Sequence, residues 1–401
     1  MKGTNYIPFL LILYLINPLI TIVGMALYGI SSLHGRLLTK DNKIFLILFG
    51  IMCAVFVTLI NTTKVPENDL EWYVDRYKLA KQMSLFKFVL IASNQTITES
   101  YKEPLYGVLV WILNRLYDGN VTLFKFSISF IEYGFFVTSV YLFGRILKMR
   151  LSYIIFGMFM FCFFPYIFTT SLHLLRQFIA TSLLFFVIVR ISFYSKYDWW
   201  ALISMVLIHS TSALFVPLLL LPAFDKPFVK AKIWYVGSIV SLLAIRILAG
   251  YIFEVGGFSQ NDSIGYVLDR ARHETTYELD FAFSKIIMDA IVLLYCLYLF
   301  FSNYCEKYKG MRRFSFIFIF LSIFVLANLH QVQLAARFTS YIIPALPFLF
   351  MFFFRSINMN KILLLAFCFL LLLFFSIYIY TGTWTYKVEY AGLFTPVFSY
   401  M

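Results

Sequence analysis

Apolar residues come in long blocks along this chain, with short polar connections between them. The blocks run at about 6–31, 44–61, 104–117, 121–147, 153–172, 174–195, 199–222, 233–257, 281–302, 314–333, 338–354 and 362–381. Most approach the roughly 20 apolar residues that an α-helix needs to cross a bilayer. The pattern predicts an all-α fold, a polytopic integral membrane helix bundle of about 10–12 hydrophobic segments with one or two broken or half-spanning helices. A single membrane domain is expected over 1–401, because no soluble domain or low-complexity linker interrupts the blocks. Residues 6–30 are too long for a cleaved signal and lack an A-x-A-like end, so they read as a first span.

Composition agrees with the pattern. Of 401 residues, 61% are hydrophobic, 20% aromatic and 13% charged, which makes lipid the solvent for most of the chain. The net charge of +13 could suit nucleic acid, but the Lys and Arg residues sit mainly in short connections. That is the positive-inside distribution, and no nucleic-acid partner is implied. Arg36, Lys40 and Lys43 mark one cytoplasmic connection, Lys148 and Arg150 another, and Lys196 a third. Lys226, Lys230 and Lys232, then Lys307, Lys309, Arg312 and Arg313, and finally Arg355 and Lys361 mark the rest. Segments 62–103, 258–280 and 382–401 then face outward.

This orientation makes a demand of its own. Lys196 and Lys226 both claim the cytoplasm, so the apolar stretch 199–222 between them must enter and return, with a break near His209–Ser212. A continuous span that violates the charge rule once is the alternative. Segment 104–117 is short for a crossing and reads as a half-helix on the outer side. Broken helices are tolerated at membrane depth only where they line a cavity or are buried in protein. Both breaks therefore point to a cavity.

Five polar constellations could carry chemistry. Pro66–Tyr77, PENDLEWYVDRY, interleaves Glu67, Asp69, Glu71 and Asp75 with Trp72, Tyr73 and Tyr77. Carboxylates can act as general bases and aromatic faces can stack on sugar rings, though an interfacial helix with aromatic anchors has the same composition. Glu103 precedes Pro104, as simple helix-start chemistry would also have it. His173, Arg176, Gln177 and Ala180 fall at i, i+3, i+4 and i+7, which predicts one helix face. An anion would balance Arg176 there; snorkelling or a structural ion pair is the plainer reading. His209 is followed by Ser210, Thr211 and Ser212, which suits a cavity wall or a hydrogen-bonded packing residue. His330, Gln333, Arg337 and Tyr341 make a second polar stripe containing an arginine.

Arg176 and Arg337 both lie at the outer ends of their segments, where two guanidiniums could hold a pyrophosphate by charge-assisted bonds. Other buried charges read as architecture: Arg246 with Asp289 as a pair, and Lys125 with Glu132 on one helix face. Asp269, Arg270, Arg272, His273 and Glu274 lie in the outer loop 258–280 as a lid over the site or a solvated face. The five cysteines show no disulfide or metal-site spacing. Walker, Rossmann, HExxH and G-x-S-x-G signatures are missing, which leaves ATP-driven transport and soluble-type nucleotide-sugar chemistry without support.

The order of these motifs resembles the EpsG-like branch of Wzy polysaccharide polymerases. The residues that carry the resemblance are Asp69 and Tyr73; Glu103 and Pro104; Arg176, Gln177 and Ala180; His209, Ser212, Ala213 and Leu214; Arg337 and Tyr341; and Pro396. Leu70 departs from the aromatic residue expected after Asp69, and the tail TPVFSYM matches loosely. The resemblance implies a GT-C-like glycosyltransferase of the bacterial inner membrane that needs no nucleotide sugar and no cofactor. Its partners would be undecaprenyl-diphosphate-linked oligosaccharides in the bilayer, together with a chain-length regulator and a flippase of the same pathway. Its product would be O-antigen, capsule or exopolysaccharide, assembled at the periplasmic face. Catalysis would fall to Asp69, Glu103, His209, Arg176 and Arg337. Substrate contacts would come from Trp72, Tyr73, His173, Gln177, Arg272, Gln333 and Tyr341. A lipid-linked oligosaccharide flippase or an O-antigen ligase-like transferase is the alternative.

Overall fold

The computed structural model describes residues 7–67, 69–92, 103–255, 283–308, 310–329, 332–381 and 393–400, without the side chains of 40–41, 90–92, 245–255, 283, 332–334 and 381. The helices, in chain order, are α1 (Ile7–Ile16), α2 (Pro18–Ser32), α3 (Lys40–Thr62), α4 (Asp69–Leu79), α5 (Leu85–Ala92), α6 (Pro104–Tyr117), α7 (Val121–Ile146), α8 (Leu151–Phe163), α9 (Pro165–Thr170) and α10 (Leu175–Tyr194). They continue as α11 (Trp199–Ile208), α12 (Val216–Leu220), α13 (Phe228–Val255), α14 (Phe283–Phe301), α15 (Tyr304–Lys307), α16 (Met311–Ala327), α17 (Val332–Ile342), α18 (Leu346–Ser356) and α19 (Lys361–Thr381). Among the described residues six stretches are helical, long and apolar enough to cross a membrane: Asn42–Thr62, Val121–Ile146, Leu175–Tyr194, Ser284–Phe301, Ala335–Ser356 and Lys361–Tyr380.

The first apolar block is not one span. Asn17 is extended (φ −151°, ψ 97°), its side chain accepts from the Ile20 N–H at 3.0 Å, and Pro18 opens a new helix. The result is two helices of 10 and 15 residues. Block 153–172 divides in the same way at Phe164 and Pro165.

The chain forms two compact units. Unit one comprises 1–83, 109–189 and 347–401; unit two comprises 84–108 and 190–346. The core of unit one is aromatic. Phe136 stacks on Phe161 with centroids 4.7 Å apart, and Phe348 meets Phe143, Phe161 and Phe185 at 5.2–5.5 Å. In lipid, tight packing and not hydrophobic burial holds helices together, so small residues sit where backbones approach. A Cβ on Gly50 would meet Val137 at 2.6 Å. Three basic connections are joined in this unit. The Leu151 N–H donates to the Arg36 carbonyl at 2.9 Å, Arg150 donates to Asn358 Oδ1 at 2.6 Å, and Arg355 donates to the Leu147 carbonyl. The charge rule assigns all three to one side of the membrane, and they do meet.

In unit two the 199–222 stretch turns back. Trp199–Ile208 is α-helical, His209 is extended (φ −148°, ψ 110°), and Ser210–Phe215 forms a 3₁₀ run before α12. Ten α-helical residues reach only ~15 Å, about half of a bilayer core. Both ends of the stretch lie near the start of α16, at Gly310 and Arg313. At one end Arg190 clasps Asp198 at 2.5 Å, and Gly310 (φ +91°) lies so near the Ser192 carbonyl that any Cβ there would overlap it. At the other, Arg313 donates to the Leu219 and Leu221 carbonyls at 2.6 and 3.2 Å and pairs with Asp225 at 2.7 Å. Leu219 lies in the last turn of α12, where carbonyls lose their helical donors, and the Leu221 carbonyl also accepts from the Phe224 N–H at 3.3 Å. Arg313, read from sequence as a topology marker, is a buried clamp, 2% exposed.

Candidate functional site

In unit two the two breaks meet in one bond. The Glu103 carbonyl accepts from the Gly107 N–H at 3.5 Å, so Glu103 starts α6, and Pro104 follows without needing a donor partner. His209 stands where α11 stops. Its Nδ1 lies 2.6 Å from Glu103 Oε1, across 106 residues of sequence. The pair is well buried, with side-chain exposures of 6% for Glu103 and 13% for His209. With Glu103 ionised its carboxylate can only accept, an arrangement in which Nδ1 carries the hydrogen and Nε2 is the basic nitrogen.

The same 3₁₀ run supplies Thr211 and Ser212, whose hydroxyls each lie 3.2 Å from the Tyr341 hydroxyl. Tyr341 is fully buried on α17, and Arg337, one turn earlier, is exposed. Glu103, His209, Tyr341 and Arg337, separate candidates in the sequence, thus belong to one unit. Gln333 is on the same helix with its side chain outside the described residues; His330 and the 258–280 loop with Arg272 lie outside them altogether.

Asp289 accepts from the Thr339 hydroxyl at 2.8 Å. Its expected partner Arg246 has its side chain outside the described residues.

Unit one holds the other arginine. Arg176 Nε donates to the Tyr73 hydroxyl at 3.3 Å, and its guanidinium lies 5.3 Å from the Trp72 ring and 5.7 Å from the Tyr73 ring. Arg76 lies 3.9 Å from the Trp72 ring, within the range of cation–π attraction. These aromatics belong to α4, which is no surface anchor: Leu70, Tyr73, Val74 and Tyr77 are buried. Tyr77 stacks on Phe124 at 4.2 Å, and Asn114 donates to the Tyr77 carbonyl at 2.7 Å. Asp69 is exposed at the start of the helix.

Gln177 is buried beside Arg176, but His173 does not share their helix face. Leu172 has φ +64°, and α10 begins only at Leu175, so His173 lies on the preceding turn.

A polar network fixes that turn. Lys64 Nζ donates to the Phe168 and Ser171 carbonyls at 2.6 and 2.8 Å, and Ser171 Oγ donates to Glu132 at 2.6 Å. Asn61 donates to the Ser129 and Ser171 hydroxyls at 2.7 and 3.0 Å. Lys125 donates to the Thr62 carbonyl and, at 2.9 Å, to that of Lys64. Lys125 and Glu132 bond different partners within this network and not each other. Lys64 escaped notice because it follows an apolar block and resembles a flank. The available signal was a lysine just after an apolar block, in a segment that the charge rule expects to face outward.

What the two clusters can do differs. The Glu103–His209 pair can take a proton; the Arg176 cluster offers positive charge and ring faces for an anionic or glycan ligand. Among the described residues no group of His, Cys, Asp and Glu is arranged to hold a metal. Residues 43–391 match the model of the EpsG family. No curated protein and no solved structure matches the chain.

Proposed function

Because the chain belongs to the EpsG family, we propose that this multi-pass membrane protein is a polysaccharide polymerase. In this reading it joins undecaprenyl-diphosphate-linked repeat units at the periplasmic face of the bacterial inner membrane. The observation that carries the reading is the short Glu103–His209 bond between the ends of two broken helices. Helices break at membrane depth only around protein or a cavity, and the residues at these breaks can do acid–base work.

The reaction needs a base, a cation and a grip on sugar. His209 Nε2, with Nδ1–H held by Glu103, takes the proton of the acceptor hydroxyl as its oxygen attacks the anomeric carbon. The bond from that carbon to the diphosphate breaks and leaves negative charge on oxygen. An arginine stabilises that charge, a form of electrostatic help that is often the largest catalytic contribution; Arg337 is the candidate in unit two and Arg176 the candidate in unit one. Trp72 and Tyr73 bind sugar rings. Tyr341 holds Thr211 and Ser212, and with them the segment carrying His209.

The test replaces Arg176 and Arg337 singly by Ala and by Lys in cells that assemble a polymerised glycan. The expected product is single-repeat glycan in place of long chains, at unchanged levels of membrane protein. Persistence of long chains in the Ala variants removes both arginines from the mechanism. If no repeat unit reaches the outer face at all, the protein is a flippase.

A further inference from the structure

The joined basic connections of unit one border an open cleft of about 590 Å³, lined by Ser31, Ser32, His34, Gly35, Arg150, Asn358, Asn360 and Lys361. The polymerase reading gives it no role. Its lining is cationic, hydroxyl or amide, and no described carboxylate belongs to it. In the sequences of the three connections Asp41 is the sole acidic residue, and its side chain lies outside the described residues.

We propose that this cleft binds a phosphate group, carried by the headgroup of an anionic phospholipid in the adjacent leaflet.

Four observations converge on it. Arg150 donates to Asn358 Oδ1 at 2.6 Å, which sets its guanidinium in the wall. Lys361 makes no hydrogen bond or ion pair among the described residues, which leaves its ammonium without a described counter-charge. His34 Nδ1 is buried without a described hydrogen-bond partner. Burial pushes the His34 imidazole below its usual range, and the charges of Arg150 and then Lys361 push it the same way. The cleft also opens at the start of the 21-residue helix α19, where Asn360 Oδ1 accepts from the Ile362 N–H at 3.0 Å and neighbouring N–H groups lack helical partners. A phosphate would supply the missing negative charge and accept from all of these donors at once.

A solvated basic face is the plain alternative, but such faces are usually single helix surfaces. Here residues from three connections, distant in sequence, are tied around one opening. Basic pockets between membrane helices on the side of the positive connections are suited to anionic headgroups. Nothing in this proposal depends on the polymerase reading.

The experiment uses the full-length protein in neutral detergent. It compares retention of dioleoyl phosphatidylglycerol with that of dioleoyl phosphatidylcholine by native mass spectrometry, with and without millimolar inorganic phosphate. The expected result is preferential retention of phosphatidylglycerol. It should be about five-fold weaker in Lys361→Gln and roughly thirty-fold weaker in Lys361→Gln with Arg150→Gln, following a contribution of ~1 kcal/mol per cation. Because Arg150 also holds Asn358, Lys361→Gln is the variant that leaves the fold untouched. Lys78→Gln, on an exposed face of α4, should change nothing. Displacement of the lipid by inorganic phosphate would keep the anion site and assign it to a soluble phosphate; resistance assigns it to the lipid. Equal retention of both lipids, or no change in either variant, overturns the proposal.

Discussion

The two candidate clusters hold their polar groups in different ways. In unit two, Glu103 and His209 touch at 2.6 Å and are almost closed to solvent, each at the end of a helix that stops short. In unit one, Arg176 meets ring faces at 5.3 and 5.7 Å and a tyrosine hydroxyl at 3.3 Å, with part of its surface open. A base must point its free nitrogen at the proton it takes, and a short bond from Glu103 to Nδ1 fixes the imidazole's orientation in advance. Holding a polyanion needs charge and surface, and aromatic faces support a cation without neutralising it. The rigidity of unit one lies behind the arginine, in the Lys64, Asn61, Lys125 and Glu132 network that fixes where α10 begins.

Substitutions at five positions would break or sharpen this contrast. The largest effect is expected from Glu103→Gln or His209→Ala, which should slow polymerisation of purified lipid-linked repeats by roughly 10²–10⁴-fold with little change in KM. A loss below about tenfold would make the pair a structural bond. Arg176→Ala should follow at roughly 10²-fold in kcat, the scale of one lost charge-stabilising donor. Arg176→Lys should recover only part of this, because an ammonium cannot reproduce the planar fork.

Lys64→Met tests the support and not the chemistry. It leaves the Phe168 and Ser171 carbonyls buried without their donor, which should lower stability by about 2 kcal/mol, read as a fall in Tm. A variant with unchanged Tm would show the network to be dispensable. Tyr341→Phe should have the smallest effect, about 1 kcal/mol, measured in the same melt, since the Thr211 and Ser212 hydroxyls can turn to other acceptors.

Much of this molecule is legible in the chain itself. Apolar blocks with basic connections require helices in lipid, because a backbone in hydrocarbon must satisfy its own hydrogen bonds. A break within 199–222 follows from the charge rule, and the polar run after His209 marks where the helix stops. The start of α6 was equally readable from Glu103–Pro104, since proline has no N–H to lose at a first turn.

Other features depended on the assembled structure. No local period tells that Glu103 will meet His209 across 106 residues, that Lys64 is buried, or that Arg313 clamps two carbonyls. The expected face through His173, Arg176 and Gln177 failed because Lys64 and Ser171 hold a left-handed turn at Leu172, ahead of the helix. Periodicity assigns a residue to a face only inside a regular helix; where a helix begins is decided by distant groups that capture its free ends.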